Sequence, residues 1–126
     1  MKIAIGVATN RFIKPKTALS LLRLIAHSKH DYYFIVSTKG YNTSENRNYI
    51  AAQAVKNNCA YLFFADDDNV LPEKTLDILL KYDKDIVGGV YKTKYEQQED
   101  VAEYFDDKRG DNLMKVKAIG TGCMLI

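Results

Sequence analysis

The chain has 126 residues, of which 47% are apolar and 27% charged, with a formal net charge of +2. That length suits a single domain, residues 1–126, with a core of its own, and the composition excludes an intrinsically disordered chain. A charge so close to zero, with Lys and Arg spread along the chain, leaves no footprint for a nucleic acid or an anionic membrane.

The opening run MKIAIGV is strand-like from its first residues and lacks a secretory hydrophobic core, and no segment approaches the roughly 20 apolar residues of a transmembrane helix. The expected location is therefore cytoplasmic. Residues 2–9 are apolar and β-branched, which predicts a buried strand. Pro15 then opens a helix, where its missing N–H costs nothing, with Ala18, Leu21, Leu22, Ile25 and Ala26 as its apolar face. A second strand is expected over 32–37, followed by a polar loop over 38–43. The next helix starts near Ser44, which is placed to cap it, and buries Ile50, Ala51, Ala54 and Val55. Residues 61–65 form the third strand, which ends in three aspartates. Pro72 begins a third helix with Leu76, Leu79 and Leu80 inward, and residues 85–91 form a fourth strand. The pattern then changes to two short strand-like runs, 102–105 and 113–119, and a closing apolar run, GTGCMLI.

Three strand–helix alternations predict an α/β fold with a mostly parallel sheet and right-handed crossovers, and the second half predicts antiparallel strands added at one side. Ligands of such sheets bind beyond the carboxyl ends of the strands. Thr9, Asn10, Arg11, Ser37, Thr38, Lys39, Tyr91 and the three aspartates all fall at those ends. Cys59 and Cys123 have no CxxC spacing and no His cluster beside them, so they are read as buried free thiols in a reducing compartment rather than zinc ligands.

The aspartates carry the chemistry. Three adjacent carboxylates after an apolar strand repel one another, and no Lys or Arg within the run relieves them. A divalent cation would do so, because carboxylate oxygens suit Mg²⁺, Mn²⁺ and Ca²⁺. On an extended turn Asp66 and Asp68 point the same way and are the candidate metal ligands. The alternative is a solvated acidic turn that favours the dipole of the helix expected at Pro72.

The stretch N46-R47-N48-Y49-I50-A51-A52-Q53-A54, followed by Y61-L62-F63-F64-A65-D66-D67-D68-N69-V70-L71-P72, resembles the core of GT-A glycosyltransferases, particularly the family-2-like group. In that group an Arg-Asn helix precedes a hydrophobic strand ending in a DxD motif, and a proline-started helix follows. T9-N10-R11 is similar to the first nucleotide-binding segment, V87-G88-G89-V90-Y91 to the next strand, and G120-T121-G122-C123-M124-L125-I126 to the Gly-rich strand on the acceptor side. The resemblance runs through nearly the whole chain in order. It implies a Rossmann-like nucleotide-sugar-binding fold and a metal-dependent transfer of sugar from a nucleotide-diphosphate donor to the hydroxyl of a glycan, protein or lipid-linked acceptor.

The same resemblance implies that Asp68 coordinates Mn²⁺ or Mg²⁺, with Asp66 on the metal or on the donor ribose and Asp67 beside the donor. Arg47 would face the diphosphate, for which a guanidinium is a well-shaped donor. Thr9, Asn10 and Arg11 would line the nucleotide pocket, and Tyr91, Gly120 and Gly122 the acceptor side. Lys39, Lys92 and Lys94 are further loop cations that phosphate could meet.

The chain departs from that pattern in two places. The second strand ends Ser37-Thr38-Lys39 where many relatives carry an Asp that recognises the base, so uridine is not implied. Inverting members place their general base after the Gly-rich strand, and none of Glu96, Glu99, Asp100, Glu103, Asp106 and Asp107 matches it, so the domain is expected to be incomplete at its C-terminal end. Two rival readings stay open. One is a non-catalytic nucleotide-binding module; the other is a haloacid-dehalogenase-like phosphatase with Asp66 as nucleophile and Asp68 as acid–base.

Overall fold

The computed structural model describes residues 1–38, 42–92, 99–104 and 113–126. The elements run β1 (Lys2–Ala8), α1 (Pro15–His27), β2 (Asp31–Ser37), α2 (Thr43–Lys56), β3 (Tyr61–Asp66), α3 (Thr75–Lys81), β4 (Val87–Gly88), β5 (Ala102–Tyr104), β6 (Val116–Ile119) and β7 (Cys123–Leu125). Five strands form one sheet in the order β2-β1-β3-β7-β4, and β5 pairs with β6 in a separate two-stranded sheet. The fold is mixed α/β, as the alternation predicts.

β2, β1 and β3 are parallel neighbours, while β7 runs antiparallel to both β3 and β4. The antiparallel strand is therefore inserted between β3 and β4 rather than added outside them. Its pairing continues past the strand end, where the backbones of Leu62 and Ile126 exchange two hydrogen bonds of 2.7 and 3.0 Å.

Strand periodicity sorts the core. On β1, Ile3, Ile5 and Val7 join Leu21 and Leu24 of α1 and Leu76 and Leu79 of α3 in one cluster. The alternate residues of β1 are small, and Ala4 joins Leu62, Phe64, Ile50 and Ala54 in the cluster under α2. Gly6 shows why they are small. A Cβ there would strike Cγ2 of the fully buried Ile50 and lie 3.2 Å from Leu62. The β1–α2 approach thus depends on a missing side chain.

Several local expectations need correction. Asn42, not Ser44, caps α2, its side chain accepting the Glu45 N–H at 2.9 Å. The buried stripe of α2 is Asn46, Ile50 and Ala54; Ala51 is half-buried and Val55 is 76% exposed. The buried face of α1 is Thr17, Ser20, Leu21 and Leu24, turned by about one residue from the expected one, so Leu22 and Ala26 face solvent and Ala18 and Ile25 are intermediate. Small polar groups set that rotation: Ser20 Oγ donates to the Thr17 carbonyl at 2.8 Å and accepts the Leu71 N–H at 3.2 Å. Pro72 opens a turn whose carbonyl accepts the Thr75 N–H at 3.0 Å, and α3 begins only there, with Leu80 half-buried.

The fourth strand keeps only Val87 and Gly88 in the ladder, and Lys92 and Asp100 form an isolated bridge. The sixth is shorter than expected at its start, and Phe105 lies outside the described residues. Both cysteines are free, but Cys59 is half-buried and only Cys123 is buried. No described helix is long and apolar enough to cross a membrane.

Adding a methyl group at Gly6 should push on Ile50 and open the β1–α2 contact. Overpacking of this kind costs about 1–3 kcal/mol. Gly6→Ala is thus expected to lower the urea midpoint with the slope unchanged, measured by circular dichroism.

Candidate functional site

The parallel register sets Ala8 of β1 opposite Asp66 of β3, so the chain leaving β1 runs beside the acidic turn. Thr9 is 4% exposed and anchors this junction. Its N–H donates to the Ser37 carbonyl at 3.1 Å, which ties it to β2 as well. Its hydroxyl donates to Oδ2 of Asp67 at 2.6 Å and accepts the Arg11 N–H at 3.3 Å. The Asp67 carbonyl in turn accepts the Lys14 N–H at 2.9 Å. Asp67 is therefore bound into the β1–α1 connection from both its side chain and its backbone.

Arg47 enters from the other side. It opens the second turn of α2, one residue after Asn46, which is buried and accepts a 2.8 Å hydrogen bond from the hydroxyl of Ser37. That buried contact fixes the start of α2 to the end of β2. From there the Arg47 guanidinium donates to Oδ1 of Asp66 at 2.9 Å, as an ion pair with side chains 27% and 31% exposed. Ala8, Thr9, Asn10, Thr43, Arg47, Asp66, Asp67 and Asp68 line a cavity of about 400 Å³ at this edge.

The Gly-rich run packs against Asp66 and Asn69. Gly122 donates its N–H to the Tyr91 hydroxyl at 3.0 Å, and its carbonyl accepts the Asp66 N–H and the Asn69 side chain, each at 3.2 Å. A Cβ on Gly122 would strike Asp66 Oδ2 and lie 2.7 Å from both Asn69 and the Tyr91 oxygen. One on Gly120 would lie 2.5 Å from the Tyr91 oxygen and from Val101. Neither glycine has a positive φ, so close approach explains both. The phenol of Tyr91 is held above its ordinary pKa, first by burial and then by the Asp66 charge, against the opposing Gly122 N–H and Arg47. Burial likewise pushes the Cys123 thiol up.

The structure thus brings Thr9, Asn10, Arg47 and the three aspartates around one cavity, and sets Tyr91, Gly120 and Gly122 behind Asp66. Arg11 is exposed and reaches this network through its backbone N–H. Lys92 is in an ion pair with Asp100, and Glu103 is paired with Lys117 across the β5–β6 hairpin at 3.5 Å. Lys39, Lys94, Glu96, Asp106 and Asp107 lie outside the described residues. Sequence reasoning missed Thr43, Asn46 and Asn69 as parts of the site. Asn46 had a readable signal, an amide on the stripe that continues to Ile50 and Ala54.

The acidic turn does not serve the dipole of α3, because that helix starts at Thr75 and carries Asp77 in its own first turn. Among the described residues, no group of three or more His, Cys, Asp or Glu side chains converges as a ready-made metal cage. The arrangement offers a different chemistry, a guanidinium ion-paired with one of three carboxylates at a polar cavity open to solvent. Comparison with family models, with curated proteins and with solved structures finds no match to this chain.

The raised thiol and phenol link stability to alkaline pH. Unfolded chains ionise near the ordinary values, 9.0 for the thiol and 10.0 for the phenol, while the folded groups hold their protons longer. Their contribution is present below pH 9.0 and is lost as pH rises through the folded values. The urea midpoint should fall as pH climbs past 9.0, and the fall should be shallower in Cys123→Ala and in Tyr91→Phe.

Proposed function

We propose that this domain binds a nucleoside-diphosphate sugar together with Mn²⁺ or Mg²⁺ and transfers the sugar to an acceptor hydroxyl, on a Rossmann-like fold of the GT-A type. One observation carries the reading: a single cavity beyond the carboxyl ends of β1 and β3 is lined by three carboxylates and the Arg47 guanidinium, which is ion-paired to one of them. A diphosphate bridged by a divalent cation is the ligand with charges of both signs in that order. The order of the motifs along the chain, with the Arg47 helix before the strand that ends at Asp66, supports the same reading.

The donor set fits such a cation. Mg²⁺-type ions are commonly held by one or two carboxylates, with substrate phosphates and waters completing the shell, and need no all-protein cage. Asp66 and Asp68 would hold the ion, whose chemistry is to neutralise the departing diphosphate. Arg47 would donate to the same phosphate oxygens, adding fixed positive charge where negative charge grows. Thr9 and Asn10 form the cavity wall along which the nucleoside would lie. Asp67 keeps the β1–α1 connection in place through Thr9. Tyr91 and the Gly120–Gly122 run, packed behind Asp66, would bound the acceptor side.

Titration calorimetry separates the parts. Arg47→Ala should weaken nucleoside diphosphate binding by about 1.5–3 kcal/mol, roughly tenfold to a hundredfold, and leave nucleoside binding unchanged. Asp68→Ala should abolish the gain in affinity that Mn²⁺ brings. Equal losses for nucleoside and diphosphate would place Arg47 away from the phosphates. Release of nucleoside diphosphate from a panel of nucleotide sugars tests the transfer itself, and binding without release would favour a non-catalytic module.

A further inference from the structure

The ion pair on the cavity lining joins the two groups assigned to opposite halves of the ligand. Resting on the reading above, we infer that the Arg47–Asp66 pair is a latch that makes cation and diphosphate binding mutually dependent. In the structure each partner already has its counter-charge: Arg47 Nη2 sits 2.9 Å from Asp66 Oδ1, and both side chains are about seven-tenths buried. The other oxygen of Asp66 lies toward Gly122. A cation on either oxygen of Asp66 therefore lies close to the guanidinium already held at Oδ1.

Each ligand alone meets a penalty. A lone cation at Asp66 must displace or face the guanidinium, a like charge. A lone diphosphate at Arg47 must approach Asp66, Asp67 and Asp68, all of which line the same cavity. When both arrive, the diphosphate takes Arg47, the cation takes Asp66, and each cancels the repulsion the other would feel. The two affinities are then coupled, and coupling is reciprocal by linkage: whatever the cation does for the diphosphate, the diphosphate does for the cation. The domain would thereby stay empty in free Mn²⁺ or free phosphate and respond to the bridged pair.

The latch gives opposite signs from those of a static buttress. Binding of Mn²⁺ alone, followed by water-proton relaxation, should tighten about fivefold in Arg47→Ala, with Arg47→Gln as a second variant and thermal melts to confirm folding. Binding of pyrophosphate alone, in chelator-treated buffer, should tighten by a similar factor in Asp66→Asn. In the unsubstituted protein, Mn²⁺ and pyrophosphate should each raise the affinity for the other, and either substitution should reduce that mutual gain. Unchanged or weaker Mn²⁺ binding in both Arg47 variants overturns the latch. If the unsubstituted protein still binds nucleoside diphosphate with Mn²⁺ in that case, the functional reading stands without it. Conversely, the expected gains with no preference for nucleoside diphosphate over pyrophosphate would keep the latch and remove the nucleotide-sugar reading.

Discussion

Three consecutive carboxylates at the end of a buried strand repel one another, and the architecture around them answers that repulsion. Asp66 is met by the Arg47 guanidinium and Asp67 by the Thr9 hydroxyl and, through its carbonyl, by the Lys14 N–H. These partners come from α2 and from the β1–α1 connection, so the elements that stabilise the turn are those that define the cavity. A hydrogen bond to a charged group contributes more than a neutral one, about 1.5–3 kcal/mol. The charges that line the cavity are those that a ligand would use.

Reaching that arrangement requires two close approaches that side chains would block. Gly6 lets α2 settle on β1, which carries Asn46 to Ser37 and so aims Arg47 at the sheet edge. Gly122 lets the chain entering β7 press against Asp66, Asn69 and Tyr91. The insertion of β7 between β3 and β4 is what brings Gly122 there. Antiparallel pairing puts the start of β7 beside the end of β3, with Cys123 opposite Ala65, so residues ahead of β7 must lie against the acidic turn.

Much of this was legible in the sequence because it is periodic or punctuated. The apolar and aromatic runs located β1, β2 and β3, Pro15 located the start of α1, and the aspartates fell at a strand end, as the alternation required. Most of what failed was decided by contacts far apart in the chain. The buried face of α1 turned because Ser20 bonds to Leu71, a partner no local pattern names. Asn42 caps α2 in preference to Ser44, a choice between residues two positions apart and of similar capping strength. The place of β7 inside the sheet could not be read from a run of seven apolar-rich residues, which specifies a strand but not its neighbours. Within the site, the charged residues, Thr9 and Asn10 were found, while Thr43 and the supporting amides were not; Asn46 and Asn69 act through hydrogen bonds to partners elsewhere in the chain.

The division of labour among the aspartates follows from the same geometry. β3 ends at Asp66, and Asp67 and Asp68 form the turn that follows. Asp67 turns toward the β1–α1 connection and Thr9, while Asp66 meets Arg47. With its side chain bound to Thr9 and its carbonyl to Lys14, Asp67 cannot move toward a ligand without loosening the loop that carries Asn10. Asp66 can, because Arg47 is a long side chain on a helix surface and yields at the cost of one ion pair. A turn of three identical residues is thus chemically unequal. Its middle carboxylate serves the fold, and its first is exchangeable.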